Sequence, residues 1–147
     1  MIGIVVDEIE NNPSNYIMFR ELNKVAKKMP CFVFANSVRT VPMDNEFTIL
    51  QQVEAMSHSG TLIATSLITS QIVSKALTPK NKFYYLMDFE WLHLNMFHSR
   101  QLQSIFFNDD IEVINRSKKN QQVFSKLFRK SDKVVYNWRA DELLKVI

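Results

Sequence analysis

Glycine is almost missing: Gly3 and Gly60 are the only two among 147 residues. A G-x-G-x-x-G turn or a P-loop needs several glycines close together, because backbone amides must approach phosphates with no Cβ in the way. Dinucleotide binding and nucleotide hydrolysis through such loops are therefore excluded. Cysteine is scarcer still. Cys31 stands alone in an apolar run, so no disulfide can form within the chain, and the expected setting is cytoplasmic. Its neighbours mark it as a small buried residue rather than a reactive thiol. No run of about 18 apolar residues is present, so no membrane span is expected. The acidic pair Asp7-Glu8 close to the N-terminus does not fit a signal peptide. Zinc-ligand spacing is missing as well. There is one Cys, and His93 and His98 lie five apart, on different faces of any helix.

Acid is nearly absent from one stretch. Between Arg116 and Arg139, eight basic side chains meet one acid, Asp132, a local charge of +7 in a chain of net +3. Such a segment is either a solvated helix face or an attractor of phosphates, nucleic acid or an acidic partner.

What remains is ordinary globular material, 46% hydrophobic and 22% charged, enough for one domain over residues 1–147 with a sizeable core. Apolar runs alternate with helix-period segments. Ile2–Val6, Cys31–Ala35, Thr61–Thr65, Phe83–Met87, Ile111–Ile114 and Val134–Tyr136 read as six strands, short and unbroken by polar residues, as in a sheet covered on both faces. Between them, Tyr16, Phe19, Leu22, Val25 and Ala26 recur at helical spacing. Helices are also expected over Phe47–Met56, where Gly60 supplies the stop, and over Ser66–Leu77, Trp91–Phe107, Asn120–Phe128 and Asp141–Ile147. Strands joined by helical crossovers pair in parallel, so the expected fold is α/β: one Rossmann-like open parallel sheet of about six strands with helices on both faces.

Ligands of such sheets bind outside the carboxyl ends of the strands. That rule nominates Asp7 and Glu8 after the first strand, Ser66 after the third, Asp88 and Glu90 with Trp91 after the fourth, Arg116 and Ser117 after the fifth, and Asn137 after the sixth. Asp7, Glu8, Asp88 and Glu90 together would make a carboxylate cluster able to hold a metal, act as a base or accept hydrogen bonds from sugar hydroxyls. Equally, acids at these positions cap helices or pair with Arg116. Trp91 and Trp138 each suit either stacking on a ligand or closing the core. A phosphoacceptor receiver domain would need an Asp after the third strand, where Thr65-Ser66 stands.

Three segments carry a resemblance. Ile2-Gly3-Ile4-Val5-Val6-Asp7-Glu8 looks like the first strand of the N-terminal domain of GT-B-type glycosyltransferases. Thr61–Ser66 followed by Lys82–Trp91 is similar to that family's alternation of buried strands and crevice residues. Glu112–Ser117, a helix and then Lys133–Asn137 resemble its closing strand-Ser, helix, strand-Asn pattern. The order of the segments spans nearly the whole chain. Two departures stand out: Glu10-Asn11-Asn12-Pro13 replaces a glycine-rich first loop, and the second, nucleotide-binding domain has no counterpart in these residues. The resemblance implies an acceptor-side half with no cofactor of its own, inactive unless a partner chain supplies the nucleotide half. In it Asp88 or Glu90 would be the catalytic base, and Ser117 and Asn137 would line a cleft for a sugar or phosphate-bearing acceptor. The alternatives are a non-enzymatic interaction protein, pairing with another protein or with a second copy of itself, and a nucleic-acid-binding accessory protein using Arg116–Arg139. The Gly-poor composition, rich in Asn, Lys and Phe, suggests an AT-rich genome such as a virus's.

Overall fold

Strand β1 (Ile2–Ile9) is an interior strand of the sheet, paired on both sides. Its residues Ile2, Ile4 and Val5 are wholly buried, so both of its faces are covered. The computed structural model describes residues 1–93 and 99–147. In chain order, β1 is followed by α1 (Pro13–Ala26), β2 (Cys31–Val38), β3 (Thr48–Gln51), β4 (Thr61–Ala64), α2 (Leu67–Lys75) and β5 (Asn81–Leu86). Then come α3 (Ser99–Phe106), β6 (Glu112–Asn115), α4 (Lys118–Leu127), β7 (Lys133–Val134) and α5 (Ala140–Val146). Short 3-10 turns lie at Gln52–Ser57, Glu90–His93 and Tyr136–Trp138.

The sheet has the order β3-β2-β1-β4-β5-β6-β7 and every neighbouring pair is parallel. All strands therefore end on one rim. Helices cover both faces. One core joins Ile4, Val6, Phe19, Leu22, Tyr85 and Leu143 under α1 and α5. The other joins Val5, Leu62, Val73, Tyr84, Phe106 and Phe124 under α2, α3 and α4. Each fully buried Ile, Leu or Phe contributes about 2 kcal/mol, which is what holds two helical layers to one sheet. The expected fold class stands.

Several details differ from the sequence expectation. Among the described residues there are seven strands, not six. The additional one, β3, occupies the edge, and the helix expected over Phe47–Met56 shrinks to the 3-10 turn at Gln52–Ser57. Ile49 and Leu50 pack against the two opposite cores, as alternating strand residues do, while Val53 and Met56 stay exposed. On α1 the buried stripe is Met18, Phe19, Leu22 and Val25, with Tyr16 left outside. On α2, Ile68 points to solvent and Thr69 is buried because its hydroxyl serves the helix start. The last strand stops at Val134, and a turn takes over at Tyr136. Residues 94–98, part of the helix expected over Trp91–Phe107, and with them His98, lie outside the described residues. Cys31 is 4% exposed, and burial pushes its thiol up to about 12, in line with a packing role.

Neither glycine is needed for a left-handed backbone, since neither has a positive φ. Both allow close approach. A Cβ on Gly60 would lie 2.3 Å from the Met1 carbonyl oxygen, and one on Gly3 would lie 2.6 Å from a ring carbon of Phe34. The helix stop expected at Gly60 is thus really a crossing point of chains.

Glu21 joins α1 to α5. It is 4% exposed, takes hydrogen bonds from Lys24 at 2.8 Å and Arg20 at 3.1 Å, and accepts the Ala140 N–H at 3.2 Å, where α5 begins. Burial pushes its pKa up, but Lys24, the Ala140 amide and Arg20 together outweigh that and hold it below the usual range. A depressed carboxylate stabilises the fold above its unfolded pKa and loses that contribution as pH falls through the folded value. Glu21→Gln should cost about 1–2 kcal/mol near neutrality. The gap between wild type and variant in urea denaturation should close on acidification below the normal glutamate range.

Candidate functional site

The rim at the carboxyl ends of the strands is built by helix-capping chemistry. Ser66 caps α2, accepting the Thr69 N–H at 3.1 Å, and donates to Asp7 Oδ2 at 2.6 Å. Thr65 donates to the Val5 carbonyl at 2.9 Å, and Gln52 donates to the Val6 carbonyl at 2.9 Å. The Ser66 and Thr65 bonds tie the end of β4 to the end of β1, where the direction of strand addition reverses, and Gln52 reaches β1 from the turn after β3. Asp7 and Glu8 do not act together. β1 runs on to Ile9, so both acids lie within the strand and, as neighbours, point to opposite faces. Glu8 turns to Ser37 at 3.0 Å and Arg39 at 2.6 Å. Among the described residues no group of three or more His, Cys, Asp or Glu side chains is placed to hold a metal, so the carboxylate cluster envisaged from the sequence does not assemble.

Asp88 and Glu90 also part company. Glu90 turns inward. One of its oxygens accepts the Leu67 N–H at 3.1 Å, backing the start of α2, and the other accepts the hydroxyl of Tyr84. Tyr84 is fully buried, and burial, then the charge of Glu90, hold its pKa well above the usual phenol range. Trp91 follows Glu90 inward. It packs edge-on against Phe106 and Phe128, with ring centroids 5.6 Å and 5.1 Å away, so its role is in the aromatic core. The side chain of Asp88 is 81% exposed and faces the rim.

The open space lies further along that rim, over β5, β6 and β7. A cleft of about 310 Å³ is lined by Asp88, Arg116, Ser117, Asn120, Tyr136 and Asn137, with Met87 and Phe89. Arg116 is its central charge. Its Nε donates to Asn137 Oδ1 at 2.8 Å, and its Nη1 lies 3.9 Å from Asp88 Oδ1. Ser117 caps α4, accepting the Asn120 N–H at 3.1 Å and donating to Asn120 Oδ1 at 2.9 Å. Asn120 in turn donates to the Met87 carbonyl at 3.3 Å. One strand end thus supplies an acid, the next a cation and a hydroxyl, and the last an amide. That is a polar set suited to hydroxyls and anionic groups. Of the residues nominated from the sequence, the structure brings together Asp88, Arg116, Ser117 and Asn137. It places Asp7 and Ser66 at the carboxyl ends of β1 and β4, Glu8 beside β2, Glu90 half-buried at the start of α2, and Trp91 half-buried against the aromatic core.

Sequence reasoning missed Asn120 and Tyr136. The Ser-x-x-Asn spacing after β6 was the available signal for Asn120, since a cap residue and its partner share one mouth. Tyr136 had only its adjacency to Asn137.

The basic stretch is less of a bare charge than its composition indicates. Arg116, Arg129, Lys133 and Arg139 each have an acid within salt-bridge distance: Asp88, Asp109, Glu112, and the pair Asp141 and Glu142. Lys118, Lys119, Lys126 and Lys130 have none among the described residues.

Comparison of the chain with family models, with curated protein sequences and with solved structures returns no match.

Proposed function

We propose that this domain is the acceptor-holding half of a sugar-transfer system, and that transfer needs a second, nucleotide-binding unit outside these 147 residues. The observation that supports the reading is the convergence of Asp88, Arg116, Ser117 and Asn137 in one cleft at the ends of three consecutive parallel strands. Asp88 is the group best placed to take a proton from an acceptor hydroxyl, because it is open to the cleft while both oxygens of Glu90 are engaged. The scarcity of glycine agrees with the division of labour, since this half has no loop to cradle a pyrophosphate. Isothermal titration with common sugar nucleotides should give no heat with this domain alone, whereas hydroxylated acceptors, tried as a sugar panel, should bind in the millimolar range. Tight nucleotide binding by the isolated domain would overturn the reading.

A further inference from the structure

Both glycines of the chain face one side chain, the imidazole of His58. A Cβ on Gly3 would lie 3.2 Å from its Nε2, and one on Gly60 would lie 3.0 Å from the same atom. His58 follows the turn at Gln52–Ser57 and is 7% exposed. Its ring stands edge-on to Phe32 and Phe34 of β2, with centroids 5.8 Å and 5.5 Å away. Its Nε2 lies 3.2 Å from the carbonyl oxygen of Thr61, the first residue of β4. A carbonyl only accepts, so this nitrogen carries the hydrogen and Nδ1 holds the lone pair. The backbone beside the ring is tied down as well. The His58 N–H donates to the Ala55 carbonyl at 3.2 Å, and the Thr78 hydroxyl donates to the His58 carbonyl at 2.9 Å. One imidazole thus meets the first residues of β1, β2 and β4, at the rim opposite the cleft.

This seat suits an uncharged ring. β2 and β4 carry no charged side chain along their length. On β1 the acids Asp7 and Glu8 lie at the other end of the strand. Glu54, in the preceding turn, faces away and accepts the Gln51 N–H at 3.1 Å. Lys75 and Lys80 flank the loop that bears Thr78, and the Met1 α-amino group acts on the ring as a further positive charge. An imidazolium here would meet cations and, among the described residues, no paired carboxylate. Burial lowers the His58 pKa, the bond to Thr61 raises it, and the α-amino charge lowers it again, which leaves it below the ordinary histidine range.

We propose that His58 is an acid-sensitive latch: neutral, it locks the starts of β1 and β4 against β2, and protonated, it leaves its seat and opens this rim while the rest of the sheet stays folded. The latch lies away from the cleft and does not depend on the reading of that cleft. Once out of its seat, the imidazole takes up a proton at the ordinary histidine value; in its seat it does so only at lower pH. The opened form binds more protons between those two values, so the latch holds above the ordinary value and weakens as pH falls toward the lower one. Each unit between them multiplies the open population by about ten. This window lies above the one in which Glu21 loses its contribution. The amides that opening exposes are those of Thr61, bonded to the Met1 carbonyl at 3.1 Å, and Lys80, bonded to the Gly60 carbonyl at 3.0 Å. Opening them leaves both helical layers in place, so it needs less than global unfolding.

The test is amide hydrogen exchange on the intact chain at about pH 7.5 and about pH 5.5, on either side of the ordinary histidine value, corrected for the intrinsic effect of pH on exchange. The expected result is a loss of protection of about fivefold or more at His58, Thr61 and Lys80 on acidification. The amides of Arg116 and Val135, bonded across β5, β6 and β7, should keep theirs. His58→Gln places a donor that cannot titrate near the position of Nε2, and it should make protection at the rim independent of pH over this range. Equal losses at the rim and at Arg116 and Val135 refute the latch, because acid then acts on the whole fold. Unchanged protection at the rim refutes it too, as does a pH effect that survives in His58→Gln. Should that variant fail to fold, the ring protons of His58 in the wild-type chain decide by titration. A midpoint below the ordinary histidine value, coincident with the loss of rim protection, supports the latch, and a midpoint at or above that value refutes it.

Discussion

Substituting Gly60 by alanine is expected to destabilise the domain by about 3 kcal/mol, read as a lower urea midpoint at unchanged slope. The added Cβ would meet the Met1 carbonyl oxygen at 2.3 Å and the Met1 carbonyl carbon at 3.0 Å. Backbone cannot rotate away as a side chain can. That same carbonyl accepts the Thr61 N–H at 3.1 Å, and the Gly60 carbonyl accepts the Lys80 N–H at 3.0 Å. Shifting Met1 to make room therefore loosens the start of β1 against β4, while shifting Gly60 loosens β4 against β5. Gly3→Ala is the control. Its Cβ would meet side-chain atoms, Phe34 at 2.6 Å and Leu62 at 3.0 Å, which can yield part of the distance. Its cost should be smaller, about 1–2 kcal/mol. Equal stability of Gly60→Ala and wild type would show that the strand starts are not packed this closely.

The second large effect separates two neighbouring acids. If Asp88 is the base of the proposed transfer, Asp88→Asn lowers the rate in the completed two-unit system by two to four orders of magnitude, roughly the contribution of a positioned general base. Its stability should stay within about 0.5 kcal/mol of wild type, because the side chain is 81% exposed and its ion pair with Arg116 is long. Glu90→Ala should show the reverse pattern. It removes a hydrogen bond to the first turn of α2 and strands the buried hydroxyl of Tyr84, at a cost of about 2–3 kcal/mol. A variant pair in which Glu90→Gln abolishes transfer at full stability, while Asp88→Asn remains active, would exchange the two roles.

The contrast between these acids shows where sequence reading stops. The parallel sheet was legible because buried strands such as Ile2–Val6 and Thr61–Thr65 are continuous apolar runs and the crossovers between them carry helical spacing. The edge strand β3 was not, since Thr48 and Gln51 are exposed and Ile49 and Leu50 half-buried, a four-residue pattern with no clear period. The rim rule rightly grouped Asp88, Arg116, Ser117 and Asn137, because strand ends lie together in any parallel sheet. It also grouped Asp7 with Glu8, and there it failed, because three more residues of β1 put the two on opposite faces. Which acid turns inward depends on a hydroxyl six residues back, at Tyr84, and nothing in the local sequence reveals that. The left-handed backbone of Asn137 and Trp138 was equally hidden, since Trp is not a residue that favours the conformation.

The claim at the centre of this account is that the cleft over the ends of β5, β6 and β7 is where the domain meets its ligand. Backbone amide shifts measured during titration with a phosphorylated sugar test it most directly. Changes are expected at Asp88–Phe89, Arg116–Asn120 and Tyr136–Trp138, with the opposite rim around Gly60 and Lys80 silent. Changes centred on that opposite rim, or spread along the lysines of α4 and lost in moderate salt, would contradict it.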